Sequence, residues 1–209
     1  ILDIDGTLVD SNYQHVIGWQ RAFADSGFEI AAWRIHRCIG MGGDQIVTVL
    51  AGEDAESESG DAIRESEGGH YNSLMPEVKA FDGAPELITR LKEAGHVVVL
   101  ASSAKQEEVE HYVELLGAAE RIDGFTSSAD VETTKPEPDL IEAALEKAGT
   151  REAVMVGDSV WDVESASRAG IDSIAVLCGG FGSAELEGAG ANVVVTSIGD
   201  VFEEIQSSG

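Results

Sequence analysis

The fold is decided at residues 1–11, ILDIDGTLVDS, where a short apolar run ends in two carboxylates and a Gly-Thr turn. Side chains alternate between the faces of an extended strand, so Asp3 and Asp5 are expected to point toward one small volume. Paired carboxylates are costly unless a cation or a shared proton relieves them. A strand end with carboxylates and free backbone N–H groups suits Mg²⁺ and a phosphate group better than a packed core. The stretch therefore indicates phosphoryl transfer at an aspartate.

From Phe81 onward, apolar strands alternate with amphipathic helices. Residues 96–101, HVVVLA, predict a strand buried on both faces. Further strands are predicted near Phe125 and at 153–156, 173–177 and 192–195, with a helix at 163–169. This alternation is typical of a parallel, doubly wound sheet. We therefore expect an α/β fold with a Rossmann-like core.

Residues 12–78 show no strand pattern. Val16, Trp19 and Phe23 recur at helical spacing, and we expect both Trp19 and Trp33 in the core of this region. Residues 53–69, EDAESESGDAIRESEGG, are acidic with few apolar anchors, which predicts a solvated helix or loop. The expected organisation is a catalytic core of residues 1–11 and 79–209, interrupted by a helical region at 12–78.

Polar side chains are predicted at the carboxyl ends of several strands, where parallel sheets bind their ligands. Together, DIDGTLVDS at 3–11, Ser102, KPEPD at 135–139 and VGDSVWD at 156–162 resemble the four motifs of the haloacid dehalogenase superfamily. Most members of that superfamily are Mg²⁺-dependent phosphatases, and the resemblance spans nearly the whole chain. It implies that the helical region is a cap that closes over the site and selects the substrate.

The resemblance assigns a catalytic role to four residues. Asp3 would be the nucleophile that forms an aspartyl-phosphate, and Asp5 would protonate the leaving alkoxide and then deprotonate the hydrolytic water. The Ser102 hydroxyl and the Lys135 ammonium would hold the phosphoryl oxygens. The expected cofactor is Mg²⁺, bound by the Asp3 carboxylate, the Asp5 carbonyl and Asp158, with Asp162 completing or supporting the site.

Substrate identity is expected to be determined at the helical region and the adjoining core loop. An arginine there is more often a solvated charge than an anion clamp, and a short glycine-rich loop is more often a simple turn, so both interpretations stay open. The substrate-binding candidates are Ser102, Ser103, Lys105, Lys135, Arg34, His36, Arg37, Gly40, Gly42 and Gly43.

Several activities of related proteins are disfavoured. Dehalogenase members lack the second acid, so Asp5 favours phosphoryl transfer, and the absence of lysine from residues 12–78 disfavours a phosphonoacetaldehyde hydrolase. Residues 102–105 look mutase-like, yet the related sugar phosphomutases commonly carry Glu where this chain has Gly157. We favour a phosphatase of the phosphoglycolate phosphatase-like group, with a phosphomutase of the β-phosphoglucomutase type as the alternative. A phospho-receiver domain or a non-catalytic protein is a third class, although no catalytic group is missing.

Composition limits the possible partners. Thirteen Lys+Arg against thirty-nine Asp+Glu give a formal charge of -26, which repels nucleic acid and anionic lipid. No long apolar run or basic leader is present, and Cys38 and Cys178 form no motif, so we expect a cytoplasmic protein with reduced thiols. A small phosphate ester is the expected partner of a monomer or weak homodimer. The chain starts only two residues before Asp3, so we expect that further residues precede Ile1.

Overall fold

The computed structural model describes residues 1–207. The helical region that follows the first eleven residues contains four helices. These helices have a hydrophobic core of their own, in which Trp19, Phe23, Ile46 and Ile63 are buried. Helix α1 packs along α4, and α3 closes the bundle against α4. The four helices are α1 (Asn12–Asp25), α2 (Ala32–His36), α3 (Gly43–Ala51) and α4 (Glu53–Leu74).

Residues 1–3 and the strands of the described part of the chain after residue 79 form a sheet in which the strands pair in parallel. Leu2 bridges to Leu100 on one side and to Val156 on the other, so the first residues lie between two strands of the sheet. The spatial order is β2, β1, residues 1–3, β3, β4, β5. The strands are β1 (Val99–Ala101), β2 (Gly124–Thr126), β3 (Val154–Gly157), β4 (Asp172–Val176) and β5 (Val193–Val195).

Helices cover both faces of this sheet because successive strand residues point to opposite sides. Val98 and Leu100 pack on one side, with α5 (Ala84–Glu93), α6 (Gln106–Leu115) and α10 (Val201–Ser207). Val99 and Ala101 pack on the other side with α7 (Asp139–Ala148) and α8 (Val160–Ala169), and α9 (Ser183–Ala189) adjoins α8. The predicted α/β fold with a doubly wound sheet is confirmed.

Two chain segments connect the helical region to the sheet, and they run side by side. The Asp10 N–H donates to the Lys79 carbonyl at 2.8 Å, and the Phe81 N–H donates to the Leu8 carbonyl at 2.9 Å. These hydrogen bonds lie close to the expected boundaries at residues 11 and 79. The division into a core and a cap stays a prediction.

Some local expectations are confirmed and others are wrong. The acidic stretch 53–69 is helical, which was one of its two expected forms. It belongs to a continuous helix, α4, whose buried face carries Ala55, Ile63 and Tyr71, and whose first turn is acidic as the helix dipole favours. Trp19 is only 5% exposed, as expected, but Trp33 is 70% exposed and lies outside the core of this region. The predicted strand at 96–101 is paired only from Val99 onward.

Both cysteines are free, with Cys38 buried and Cys178 partly buried, as expected for reduced thiols. Within residues 1–207, none of the helices combines the length and the apolar character needed to cross a membrane.

Candidate active site

The strand ends that carry the sequence motifs meet at one edge of the sheet. The Asp3 N–H donates to the Val156 carbonyl at 2.9 Å, and the Ala101 N–H donates to the Leu2 carbonyl at 2.8 Å. These bonds place Asp3 between the end of β1, which continues into Ser102, and the end of β3, which continues into Asp158. The predicted meeting of polar side chains at the carboxyl ends of the strands follows from this register.

Asp3, Lys135, Asp158 and Asp162 form the Lys135 cluster. The Lys135 ammonium is only 1% exposed; it forms an ion pair with Asp3 and lies 2.7 Å from Asp162 Oδ1. It also donates to the Ala101 carbonyl at 3.2 Å. The carboxylates of Asp3, Asp158 and Asp162 are all buried and lie within 4.8 Å of one another. Three acids therefore share one buried cation.

Hydroxyl and amide groups hold these carboxylates in place. The Thr7 hydroxyl lies 2.8 Å from Asp158 Oδ1 and 3.2 Å from Asp3 Oδ2, so it bridges the two acids. The first residue of α1, Asn12, donates to Asp158 Oδ2 at 3.0 Å and to the Gly179 carbonyl at 3.1 Å. Thr7 and Asn12 were not predicted to belong to the site, although Thr7 lies inside the first motif.

Asp162 serves the helix as well as the site. Its Oδ2 accepts from the Ser159 N–H at 3.1 Å and from the Ser159 hydroxyl at 2.6 Å, which caps the start of α8. Its Oδ1 is buried and faces Lys135. The cap fixes the rotamer of Asp162 and so places one carboxylate oxygen in the cluster.

Burial opposes the ionisation of two of these carboxylates, Asp3 and Asp158. Burial raises the pKa of Asp3 well above its usual value, and the Lys135 ammonium only partly opposes this effect. Burial and the neighbouring Asp162 raise the pKa of Asp158 to about 7. For Lys135 burial acts to lower the pKa, but Asp162 and Asp3 outweigh it, and the pKa is raised. The cluster holds more negative charge than one lysine offsets, which is the condition that a divalent cation relieves.

The residues present fit Mg²⁺. The three oxygen-donor carboxylates converge, and the buried Oδ1 of Asp162 faces into the cluster beside Lys135. Oxygen ligands of this kind are what Mg²⁺ prefers. The side chain of Asp5 lies outside this group of three, so its predicted contribution through the backbone carbonyl stays a prediction.

Asp5, His15, Glu67 and Glu108 form a second group, the His15 cluster. His15 Nε2 lies 3.4 Å from Asp5 Oδ1 and 3.2 Å from Glu108 Oε1, while Nδ1 lies 3.2 Å from Glu67 Oε1. The imidazole stacks on the Tyr71 ring with 3.7 Å between centroids. Three carboxylates thus surround one histidine.

Asp5 is held by its own set of donors. The Ser11 hydroxyl donates to Asp5 Oδ1 at 2.6 Å, and the Ser102 hydroxyl donates to Oδ2 at 3.2 Å. Ser11 directly precedes α1, but its side chain makes no capping hydrogen bond. Burial acts to raise the pKa of Asp5, but the hydrogen bonds from His15, Ser11 and Ser102 outweigh it and lower the pKa. Asp5 therefore favours the carboxylate form in this arrangement.

The pKa shifts of Asp5 and His15 favour a proton on His15 rather than on Asp5. Burial acts to lower the pKa of His15, but Tyr71 and the surrounding carboxylates outweigh it and raise the pKa well above the usual value. Burial raises the pKa of Glu108. An imidazolium next to an ionised Asp5 can supply the proton that a departing alkoxide needs and can take it back from water.

A cavity of about 580 Å³ opens over both clusters, between the sheet edge and the helical region. Its lining includes Asp3, Asp5, His15, Ser103 and Lys105. Ser102 and Lys135 are buried behind this surface, at 0% and 1% exposure.

The predicted substrate-binding residues of the helical region are placed differently from one another. Gly40 and Gly43 line the cavity, whereas Gly42 packs against Thr134 so closely that a Cβ at this position would collide with it. Arg34 and Arg37 are not part of the lining.

Two of these candidates contact the core instead. The Arg37 guanidinium lies 4.0 Å above the Phe181 ring and pairs with Glu185. His36 Nε2 lies 3.0 Å from the Gly179 carbonyl. Both side chains therefore hold α2 against the loop that precedes α9.

The His15 cluster was missed by sequence reasoning. His15 lies four residues after Ser11, so both can reach Asp5 from the start of α1, and this spacing was an available clue. Glu67 lies in the acidic stretch that was interpreted as a solvated segment, and nothing in its local pattern distinguishes it from its neighbours.

Known proteins show the same organisation. The family model for haloacid dehalogenase-like hydrolases matches residues 1–176. A hydrolase from Pseudomonas syringae, known from its crystal structure, superimposes with a TM-score of 0.92 at 32% identity, covering 99% of this chain and 96% of that chain. A phosphoglycolate phosphatase from Agrobacterium fabrum is 26% identical over 186 residues, 86% of this chain and 80% of that protein.

Other matches are partial or show the fold alone. A β-phosphoglucomutase from Clostridium difficile superimposes with a TM-score of 0.85 over 99% of this chain and 94% of that chain, but at 20% identity it shows only a shared fold. A PpaX protein from Caldanaerobacter subterraneus is 36% identical over 108 residues, 51% of this chain. The match spans 46% of that relative, less than half of its length.

Proposed function

Since the chain belongs to the haloacid dehalogenase-like hydrolases, we propose that it is a Mg²⁺-dependent phosphatase. Its substrate would be a small phosphorylated metabolite of the phosphoglycolate or sugar phosphate type. The observation that carries this proposal is the pair of clusters under one cavity, with a nucleophile in one and a proton donor in the other. The helical region would act as the cap that covers the bound ester.

In the proposed reaction Asp3 attacks phosphorus and forms an aspartyl-phosphate. The attack is favoured because Lys135 and Thr7 fix the orientation of the Asp3 carboxylate before the substrate arrives. Asp3, Asp158 and Asp162 would hold Mg²⁺, and the bound ion would stabilise the negative charge of the phosphoryl group. The remaining positive charge comes from Lys135, at the base of the cluster.

Proton transfer falls to the His15 cluster. As the oxygen of the alcohol leaves, Asp5 delivers a proton that His15 supplies. The same pair then removes a proton from the water that hydrolyses the aspartyl-phosphate. The buried Ser102 hydroxyl, which donates to Asp5, keeps this carboxylate aimed at the cavity.

The sugar phosphomutase is the alternative, and one feature of the site argues against it. A Cβ at Gly157 would lie 2.5 Å from Asp162 Cβ, so the glutamate that mutases commonly carry here does not fit unless Asp162 moves. In this chain Asp162 offers the third carboxylate of the site instead. A phosphomutase returns its phosphoryl group to a sugar, so the release of inorganic phosphate separates the two activities.

The test is phosphate release from a panel of phosphorylated metabolites with Mg²⁺ and with EDTA. We expect Mg²⁺-dependent release that Asp3→Asn lowers by more than about a thousandfold, since the nucleophile is lost. Asp10→Asn is the matched control, because Asp10 is an exposed acid of the same motif. Substantial activity in Asp3→Asn would refute the nucleophile assignment, and sugar phosphate isomerisation without phosphate release would favour the mutase.

A further inference from the structure

We propose that the alcohol part of the substrate carries hydroxyl or ammonium groups and no carboxylate. This inference rests on the proposed phosphatase function and concerns the part of the cavity beyond the phosphoryl site. It distinguishes a sugar, polyol or amino alcohol phosphate from phosphoglycolate. Four features of the cavity lining support it, and each concerns charge or hydrogen-bonding capacity.

Acidic side chains dominate this lining. Beyond Asp3 and Asp5, five further carboxylates border the cavity, whereas the cationic groups are a histidine, an arginine and a lysine. A carboxylate on the substrate would add to this negative charge, and like charges in a partly enclosed site repel one another. The five acids are Asp44, Glu67, Glu107, Glu108 and Glu132.

The arginine of the lining already makes four hydrogen bonds within the chain. Arg64 donates to both carboxylate oxygens of Glu56, at 2.8 and 2.9 Å, and to Asp61 at 2.8 Å. A fourth hydrogen bond reaches the Gly43 carbonyl at 3.2 Å. An incoming carboxylate would have to displace these partners, so Arg64 does not act as an anion clamp.

The two other cations are outnumbered. His15 is shared between Asp5, Glu67 and Glu108, so its single charge is divided among three acids of the chain itself. Lys105 is exposed at the rim, where water screens its charge. Neither residue gives the inner cavity a net positive charge.

Two buried oxygen atoms of the lining have unused hydrogen-bonding capacity. Ser103 Oγ is buried and, within residues 1–207, makes no hydrogen bond. Glu108 Oε1 is buried and lies 3.2 Å from His15 Nε2, and a carboxylate oxygen has a second lone pair that can accept a further hydrogen bond. Buried polar atoms in native proteins normally have partners, and an unmet one is costly. A hydroxyl group can donate to Glu108 and accept from Ser103, and an ammonium group can donate to both, whereas a carboxylate can accept from Ser103 but has no proton to donate to Glu108.

The inference is tested with matched esters that differ only in the group on the alcohol side. One pair is glucitol 6-phosphate and 6-phosphogluconate, which are both open chains; the other set is 2-hydroxyethyl phosphate, phosphoethanolamine and phosphoglycolate. We expect kcat/KM for the hydroxyl and ammonium esters to exceed that of the matched carboxylate ester by about tenfold or more. p-Nitrophenyl phosphate serves as the ester without a polar alcohol side.

Glu108→Gln then tests the acidic lining of the cavity directly, because glutamine keeps the size of the side chain but removes its charge. The discrimination against the carboxylate ester, taken as a ratio within the variant, should fall by about fivefold. Glu114→Gln is the matched control, since Glu114 is an exposed acid of the same helix outside the lining. It should leave the ratio unchanged.

The outcomes separate the two proposals. Equal or better hydrolysis of the carboxylate esters by the unmodified enzyme would overturn the inference about the alcohol side and leave the phosphatase intact. An unchanged ratio in Glu108→Gln would show that this acidic lining does not select the substrate. Absence of hydrolysis for every ester, including p-nitrophenyl phosphate, would instead overturn the proposed function.

Discussion

The Lys135 cluster and the His15 cluster both place carboxylates around a basic side chain, but the basic side chain differs. Each gathers three carboxylates around one basic side chain beneath the same cavity. In the first, the base is a lysine whose pKa is raised further, so its charge is permanent. In the second, it is a histidine, which exchanges its proton far more readily than a lysine. The first cluster is therefore suited to holding charge and the second to moving a proton.

The two clusters also differ in origin. All residues of the Lys135 cluster follow strands of the sheet, so the sheet alone brings them together. The His15 cluster draws its members from the first segment of the sheet, from α1, from α4 and from α6. It is complete only when the helical region lies against the core. Proton transfer, unlike phosphoryl binding, should therefore depend on the position of the helices.

The largest effect is expected when the lysine of the first cluster is removed. Lys135→Met leaves Asp3 and Asp162 without their cation, and breaking a buried ion pair from one side costs about 3–5 kcal/mol. We expect the free energy of unfolding, measured by denaturant titration, to fall by about this amount, and activity to be lost. Lys147→Met, at a partly exposed lysine that pairs with Asp130, is the control and should cost about 1 kcal/mol or less. Equal losses in both variants would contradict the special role of the buried pair.

A substitution in the His15 cluster should lower kcat more than it lowers the free energy of unfolding. His15→Asn removes the proton source beside Asp5, and we expect kcat for an alkyl phosphate to fall about a hundredfold, as for general acid catalysts. An ester with a good leaving group, such as p-nitrophenyl phosphate, needs little protonation and should be affected much less.

That contrast between leaving groups is the decisive measurement for His15. A purely structural role would lower both rates equally. His70→Asn is the control, since His70 pairs with Asp25 away from the cavity. Equal losses of kcat for both esters would contradict proton transfer through His15.

Mg²⁺ is expected to stabilise the folded chain through the first cluster. A ligand that binds only the native state adds about 2.7 kcal/mol at a hundred times its dissociation constant. Thermal unfolding with and without Mg²⁺ should therefore show a higher midpoint with the ion, and Asp158→Asn should remove most of the shift. Glu67→Gln, in the second cluster, should retain the shift. A shift lost in Glu67→Gln but kept in Asp158→Asn would place the ion in the His15 cluster and contradict the proposed metal ligands.

The smallest effect concerns the contact between α2 and the core. Arg37→Ala removes a partly exposed ion pair and a cation–π contact, each worth about 1 kcal/mol or less. We expect a small loss of stability and a KM changed by less than about twofold, since Arg37 does not line the cavity. Arg34→Ala is the comparison variant. A large rise in KM for Arg37→Ala alone would restore Arg37 as a substrate-binding residue.

Much of the first cluster could be predicted from short stretches of sequence. Asp3, Lys135 and Asp158 of this cluster each follow a predicted strand, as Ser102 does, and parallel strands bring their carboxyl ends to one edge. The α/β class was likewise predictable, because strand and helix periodicities alternate from Phe81 onward. The positions of Arg37 and Trp33 could not be predicted in this way, because the exposure and the partners of side chains in the helical region depend on how its four helices pack.

The sequence by itself determined that the chain forms a parallel sheet, which site residues follow its strands, and which family the chain resembles. These are properties of local periodicity and of motifs that a few adjacent residues carry. Only the tertiary structure decided that His15, Glu67 and Glu108 meet at Asp5, and that Ser11 turns from the helix toward that carboxylate. Their positions in the sequence are far apart, and helix packing, which sums many weak apolar contacts, fixes which polar side chains face one another.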